Sequence, residues 1–430
     1  MDDQLHFIVE PVGHNKSRAT VMVGQEYVES LYNHILRSKQ SRVITQGFMQ
    51  GDTPLAYLEC TFKNNIIEHL KELLFNHCVI NYLYQKLMEN HLTVSGEPSV
   101  HTINLDPRSG ASYVFEFVQA VPPIEQDWRR LPFKAPTRKN YKDIDRQVEF
   151  FLEEENKKQE KHTDTIMAGD WILLELQLVT SEGTPLLNGH KHESWLKLGD
   201  EIIDQDAHAL LYDRKCGDQF ITTNDLLQEY VNNNFDMKYH VQVTIKDRVP
   251  FSHFSVDHFK KQFRLKSQRD THNKLIEVFS YRNDVSQRRE TVQAALKLLL
   301  SRYQFNAPEH LTKQQMQLLL KEMQSNPDYN VYRTQSDFKD KVRMLAEKLV
   351  KEQILINHLA AAEKTDVSNE DVVVYLNLTK RPRTKEFIHF DIPQFKAQGH
   401  ETPLPHELVR YYCMHEKTLN SVINNLTKRA

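Results

Sequence analysis

The chain has 430 residues and a net charge of −3, with 26% charged and 40% hydrophobic residues. That length accommodates two to four domains, the composition is that of ordinary folded protein, and the near-neutral balance excludes a bulk electrostatic pull toward nucleic acid or anionic membrane. Only 12 glycines and 16 prolines argue against a loop-rich all-β protein and for a predominance of helix.

The start, Met1-Asp2-Asp3-Gln4, is acidic where a signal peptide would be basic and then apolar. No run approaches the roughly 18 apolar residues of a membrane span, so a cytoplasmic protein without membrane contact is expected. Four cysteines, Cys60, Cys78, Cys216 and Cys413, stand at no zinc or redox spacing and are expected as reduced thiols. There is no Gly-rich phosphate loop, no His-Glu-x-x-His and no nucleophile elbow, and the 21 histidines are scattered, so neither cofactor nor metal is expected.

Ile8 to Pro11 and Arg18 to Val23 read as short strands joined by a turn at Gly13-His14-Asn15. A helical pattern from Gln25 to Lys39 leads to the octet Gly47-Phe48-Met49-Gln50-Gly51-Asp52-Thr53-Pro54. Its glycines permit backbone conformations closed to other residues, Pro54 suits a first helical turn, and Asp52 or Thr53 can cap the amides there. By itself such a stretch is a turn into a helix. Apolar residues then recur every three or four positions from Leu55 to Leu87, which predicts one long amphipathic helix with a break near Asn76. Tyr113, Phe115 and Phe117 mark a strand that Val121-Pro122-Pro123 ends, giving the order β-β-α-loop-α-β over residues 1–128.

Trp128 to Pro136 reads as an extended segment, and Lys139 to Lys161 as a helix whose Glu153-Glu154-Glu155 and Lys157-Lys158 form a solvated face. Residues 129–165 are thus a connector. Gly169 to Leu178 and Tyr239 to Ile245 predict two strands of a β-rich module at 166–249, with a short helix from Ala207 to Tyr212 between them.

Residues 250–430 read as helical throughout. Ser255 caps one helix, and Asp270 caps a longer one running to Tyr303. Pro308 opens the next, Phe338 to Leu359 lie on a helix of about 25 residues, Ser368 and Asp371 begin another, and Pro405 opens the last. Lys380-Arg-Pro-Arg-Thr-Lys385 is the one concentrated basic run; without interleaved aromatics it reads as a solvated turn rather than a nucleic-acid contact. Phe387, Phe390, Ile392 and Phe395 follow in a stretch with no assignable element.

This order of units, with the octet near residue 50, resembles the trigger factor family of ribosome-associated bacterial chaperones. The family's docking loop has the pattern Gly-Phe-Arg-Lys-Gly-Lys-x-Pro, which Gly47, Phe48, Gly51 and Pro54 match in place, while Met49, Gln50 and Asp52 replace the three cations. Charge-assisted bonds from such cations are worth roughly 1.5–3 kcal/mol each. The resemblance therefore implies docking near the ribosomal tunnel exit, and the substitutions imply that it is weakened.

The middle module resembles an FKBP-type prolyl isomerase in outline. The corresponding pocket would comprise Leu176, Leu186, Trp195, Ile203, Ala207 and Phe220, with Asp204-Gln205-Asp206 where that family has an apolar wall. Isomerisation faces a barrier of about 20 kcal/mol that an apolar, aromatic-walled pocket lowers, so a weak or absent activity is expected. The helical segment corresponds to the family's cradle for unfolded or nascent polypeptides, with Met316, Met323, Met344 and Met414 as adaptable contacts or core fillers.

The resemblance also leaves room for a homodimer away from the ribosome. An α+β multidomain fold results: an N-terminal α/β unit, a β-rich middle module and an all-α segment with helical arms. The leading function is an ATP-independent chaperone; an active prolyl isomerase and a helical scaffold that holds no clients are the alternatives.

Overall fold

A computed structural model of the chain describes residues 4–13, 16–92, 94–119, 126–137, 143–159, 164–186, 190–199, 205–227, 238–252, 254–282, 285–324, 327–392, 396–397 and 400–428. The His14-Asn15 turn, Val121-Pro122-Pro123, Ile203 with Asp204, and Phe395 lie outside these residues.

The N-terminal unit is a four-stranded antiparallel sheet with helices on one face. Its strands are β1 (Leu5–Gly13), β2 (Lys16–Val23), β3 (Ser95–Asp106) and β4 (Gly110–Val118), in the order β1-β2-β4-β3. Ala19, Val21 and Val23 of β2 and Tyr113, Phe115 and Phe117 of β4 point to the helical side. There they meet Leu31 and Ile35 of α1 (Gln25–Arg42) and Leu58, Ile66, Leu70 and Leu73 of α2 (Leu55–Leu74). The period of two in the strands and of 3.6 in the helices thus converges on one core.

The break expected near Asn76 is a π-helical turn, Phe75–Val79, after which the helix continues as α3 (Ile80–Glu89). Strand β3 was not expected. It carries Pro98, its register slips between Ser95 and Ser99 and again between Val100 and Thr102, and it lies at the sheet edge, where alternation is weakly enforced.

The middle module is a five-stranded antiparallel sheet. After the connector helix α4 (Ile144–Gln159) come strands β5 (Trp171–Val179), β6 (His192–Lys197), β7 (Gln219–Thr222) and β8 (His240–Val249), with the short helix α5 (Gln205–Leu211) between β6 and β7 in the chain. The fifth strand, Leu404–Pro405, is called β9 here and comes from the far C-terminal part, pairing antiparallel with β6 at Leu404↔Trp195. The sheet therefore has two dry faces. Ile172, Leu174, Leu176 and Leu196 join the core shared with the N-terminal unit, while Trp171, Leu173 and Trp195 pack on the helical segment.

The C-terminal helices are α6 (Val256–Phe263), α7 (Gln268–Phe279), α8 (Gln287–Arg302), α9 (Glu309–Gln324), α10 (Phe338–Ala362), α11 (Asn369–Thr379) and α12 (His406–Thr427), with one-turn helices at Tyr329–Tyr332 and Pro382–Lys385. Ser255 caps α6 as expected, accepting from His258 N. The long helix expected from Asp270 to Tyr303 is instead two, split by a two-residue hairpin at Tyr281–Arg282 and Val285–Ser286. Ser267 is the cap of the first, with Asp270 closing a capping box three residues in, and Ser286 caps the second. Helix α10 has the expected 25 residues, and Ser368 and Asp371 form a second capping box on α11. No helix among the described residues is long and apolar enough to cross a membrane.

Candidate functional site

The octet forms a protruding loop between α1 and α2. Gly47 and Gly51 adopt φ of +92° and +93°, and nothing stands within 4 Å of a Cβ built at either, so only the backbone conformation calls for glycine. Thr53 anchors the base, fully buried, its hydroxyl 2.6 Å from that of Thr45 and its carbonyl accepting from Gln40 Nε2 at 2.7 Å. Pro54 occupies the cap position of α2, where no side chain caps, so neither Asp52 nor Thr53 has the capping role. Gln50 bonds back to the Ser41 carbonyl at 3.2 Å.

The tip of the loop is apolar. Met49 is 78% exposed and Phe48, 38% exposed, rests on Tyr57 with ring centroids 5.6 Å apart. Ile44, 82% exposed, and the half-exposed Leu55 and Tyr57 extend the patch on either side. The sequence reading missed Ile44 and Tyr57 and took Leu55 only as the start of the helical stripe; the available signal was that apolar residues flank the octet on both sides.

Of the six residues assigned to an isomerase pocket, five are described: four lie in or against one core and Trp195 lies in another. Leu176, Leu186 and Ala207 are buried in the core shared with the N-terminal unit, with Phe220 partly buried against it under the Arg214 guanidinium, 3.7 Å from the ring centroid. Trp195 lies on the opposite face of the sheet, because its register partner Leu173 does, and its Nε1 donates to His406 Nδ1 at 3.0 Å. Ile203 is not among the described residues.

The basic run 380–385 is solvated only in part: Pro382 and Arg383 are exposed, but the first two residues turn inward. Lys380 is buried and donates to the Pro250 carbonyl at 2.6 Å, and burial pushes its ammonium down to about 7. Arg381 reaches the Phe251 and Ser252 carbonyls and pairs with Glu155. Glu155 in turn accepts from Phe254 N at 2.6 Å and is 1% exposed, which removes it from the solvated face expected for Glu153 to Glu155. Connector, middle module and helical segment are knotted together here.

Helices α9 and α10 form the outer hairpin of the helical segment. Leu318, Met344 and Leu345 on it, and Val331 and Tyr332 on the one-turn helix between, are exposed. Of the four methionines expected as adaptable contacts, Met344 is 63% exposed, Met316 and Met323 are intermediate, and Met414 packs against the core that holds Trp195.

Two family models match this chain: that described as bacterial trigger factor protein over residues 6–151, and that of the bacterial trigger factor C-terminus over residues 258–379. Together they span most of the described fold, one at each end.

The chain belongs to the trigger factor family.

Trigger factor of Corynebacterium aurimucosum is 21% identical over 392 residues, 86% of this chain and 83% of that protein. Trigger factor of Corynebacterium jeikeium is 21% identical over 397 residues, 86% of this chain and 72% of that protein. A solved structure described as concerning promiscuous substrate recognition by the trigger factor chaperone aligns over 97% of this chain and 100% of its own, with 14% identity and a TM-score of 0.37. The matched N-terminal region contains the octet, and the matched C-terminal region contains the outer hairpin, so both candidate surfaces of this trigger factor lie on parts that define the family.

Proposed function

We propose that this trigger factor is an ATP-independent chaperone of the cytoplasm that holds unfolded or nascent polypeptides on its helical segment, docks only weakly on the ribosome and has little or no prolyl isomerase activity. Family membership supports the chaperone role. The observation that carries the holding surface is the row of exposed Leu318, Val331, Tyr332, Met344 and Leu345 among charged neighbours. Separate apolar residues set in a polar surface bind many sequences weakly, as a holder of varied clients requires.

Weak docking rests on the loop itself. Its frame is kept, but its tip presents Phe48 and Met49 rather than cations, with Asp52 adding a negative charge that repels phosphate. The low isomerase activity rests on the close packing of Leu176, Leu186 and Ala207 and on the position of Trp195 behind the sheet.

The deciding experiment is suppression of aggregation by the purified protein against several denatured clients. Suppression at equimolar ratio, lost when Leu318, Met344 and Leu345 are changed to Ser together, is the expected result. No suppression at several-fold excess would leave a helical scaffold as the better account. Ribosome cosedimentation at two salt concentrations tests the loop: Gln50→Lys with Asp52→Lys should tighten binding, most strongly at low salt. Turnover of a proline-containing peptide at FKBP-like rates would refute the isomerase part alone.

A further inference from the structure

The N-terminal unit meets the middle module along a seam of histidines. His34 of α1, His69 of α2 and His77 of the π-turn come from one side; His190 and His192, with Tyr239 and His240 at the start of β8, come from the other. His77 Nδ1 lies 3.3 Å from His192 Nδ1, the rings edge to face at 4.5 Å. His69 Nε2 lies 2.6 Å from Tyr239 Oη with the rings stacked at 5.6 Å, and the His34 ring approaches Tyr239 at 6.4 Å. Tyr27 sets its edge on His190. His69, His77, His192 and Tyr239 are all buried.

The π-turn makes the seam. Its extra residue buries His77, Cys78 and Val79 in succession; Cys78 and Val79 enter the core, and His77 meets the ring of His192 on the other module. An uninterrupted α-helix spreads three successive side chains over more than half its circumference and could not bury all three without a core on both sides.

We propose that this seam is an acid-operated latch, closed and dry while its rings are neutral and released as they take up protons, which frees the N-terminal unit from the middle module. Burial is the largest force on each ring, and it disfavours the charged form: it lowers His69 to about 4 and His77 to about 3, and lowers His34, His190 and His192 as well. Among the described residues, the charged or chargeable groups acting on them are Lys39 on His69, His240 on His34, His190 on His77, and His77 and His190 on His192; the His77 backbone bonds His190. Tyr27, Tyr113 and Tyr239, whose hydroxyls burial holds protonated, and Cys78, a buried thiol, complete the surroundings. Glu175 and Glu193 pair in register on the sheet face that carries Trp195, away from the seam.

Two imidazolium rings in the contact that His77 and His192 make would repel at close range in a low dielectric. An exposed histidine takes its proton near pH 6.5, whereas His69, His77 and His192 take it only well below, and His34 and His190 below. Because the closed form has the lower values, closure is complete above pH 6.5 and is lost as pH falls below it. Release of His69 or of His77 shifts the equilibrium by roughly 20-fold between pH 7 and 5.

The exposed thiols of Cys60 on α2 and Cys216 beside β7 allow a direct test, since Cys78 and Cys413 are buried. Spin labels on this pair in the full chain should give one distance at pH 7.5 and a longer, reversible second population that grows below pH 6.5, with the far-UV helical signal retained. His77→Gln with His192→Gln should flatten that response; should this pair fail to fold, His34→Gln with His69→Gln at the other end of the seam should make it less steep. An unchanged distance at pH 5 overturns the proposal. So does a full response in both variants, or a loss of helix in step with the distance change.

Discussion

Glu155 and Lys380 are the residues at which sequence and structure part most sharply, since each lies in a charge run that reads as solvated and each is buried. A buried carboxylate is tolerated only with partners, and Glu155 has the guanidinium of Arg381, the amide of Phe254 and Lys158 at 3.1 Å. Glu155→Ala strands Arg381 and should lower stability by about 3 kcal/mol in urea unfolding, whereas Glu153→Gln on the exposed side should stay within about 0.5 kcal/mol. Lys380 tests the same joint by pH. Its ammonium sits near 7 in the fold against 10.5 when free, so between these values the unfolded chain holds the extra proton and stability rises with pH. Lys380→Met should remove that rise, leaving a difference between wild type and variant that narrows steadily from pH 7 to 10.

Elements in this chain are shaped by their neighbours as much as by their own pattern. The middle sheet takes its edge strand β9 from residues 404–405 and covers its Trp171, Leu173 and Trp195 face with Val372, Tyr375 and Leu376 of α11 and with Val409 and Cys413 of α12. Residues 166–249 alone would expose that whole face, an apolar area of several large side chains at about 25 cal/mol per Å². That segment expressed by itself should show no cooperative thermal transition. A chain carrying His406→Phe should lose about 1–3 kcal/mol, because the Trp195 indole N–H is left buried without its acceptor; equilibrium unfolding followed by tryptophan fluorescence measures it.

At the scale of the molecule, the N-terminal unit is clasped by both other parts. The Val94 carbonyl beside β3 accepts from Asn357 Nδ2 of α10 and from Tyr411 Oη of α12, with His415 against Asn357 behind them. The Tyr84 ring lies tilted against that of Tyr411, centroids 5.9 Å apart, and Val118 joins Leu311, Val350 and Ile354. Asn357→Ala should loosen this clasp: amide exchange of β3 and β4 should quicken by tenfold or more, on the order of the 1–3 kcal/mol that an unmade buried bond costs, while β5 and β8 stay protected.

The sequence by itself determined the order of units, the helix starts at Gln25, Glu309, Phe338 and Asn369, the break near Asn76 and the frame of the octet. These depend on neighbours within a few residues: caps, prolines, glycines and a period of 3.6 or two. Only the tertiary structure decided that Lys380 and Glu155 are interior, that Trp195 stands behind its sheet rather than in a pocket, and that β9 completes that sheet from 150 or more residues away. The scattered histidines, read singly, pointed to nothing; six of them meet at one seam because two units fold against each other. Burial and pairing across long stretches of chain are properties of the packed whole, and local spacing carries no record of them.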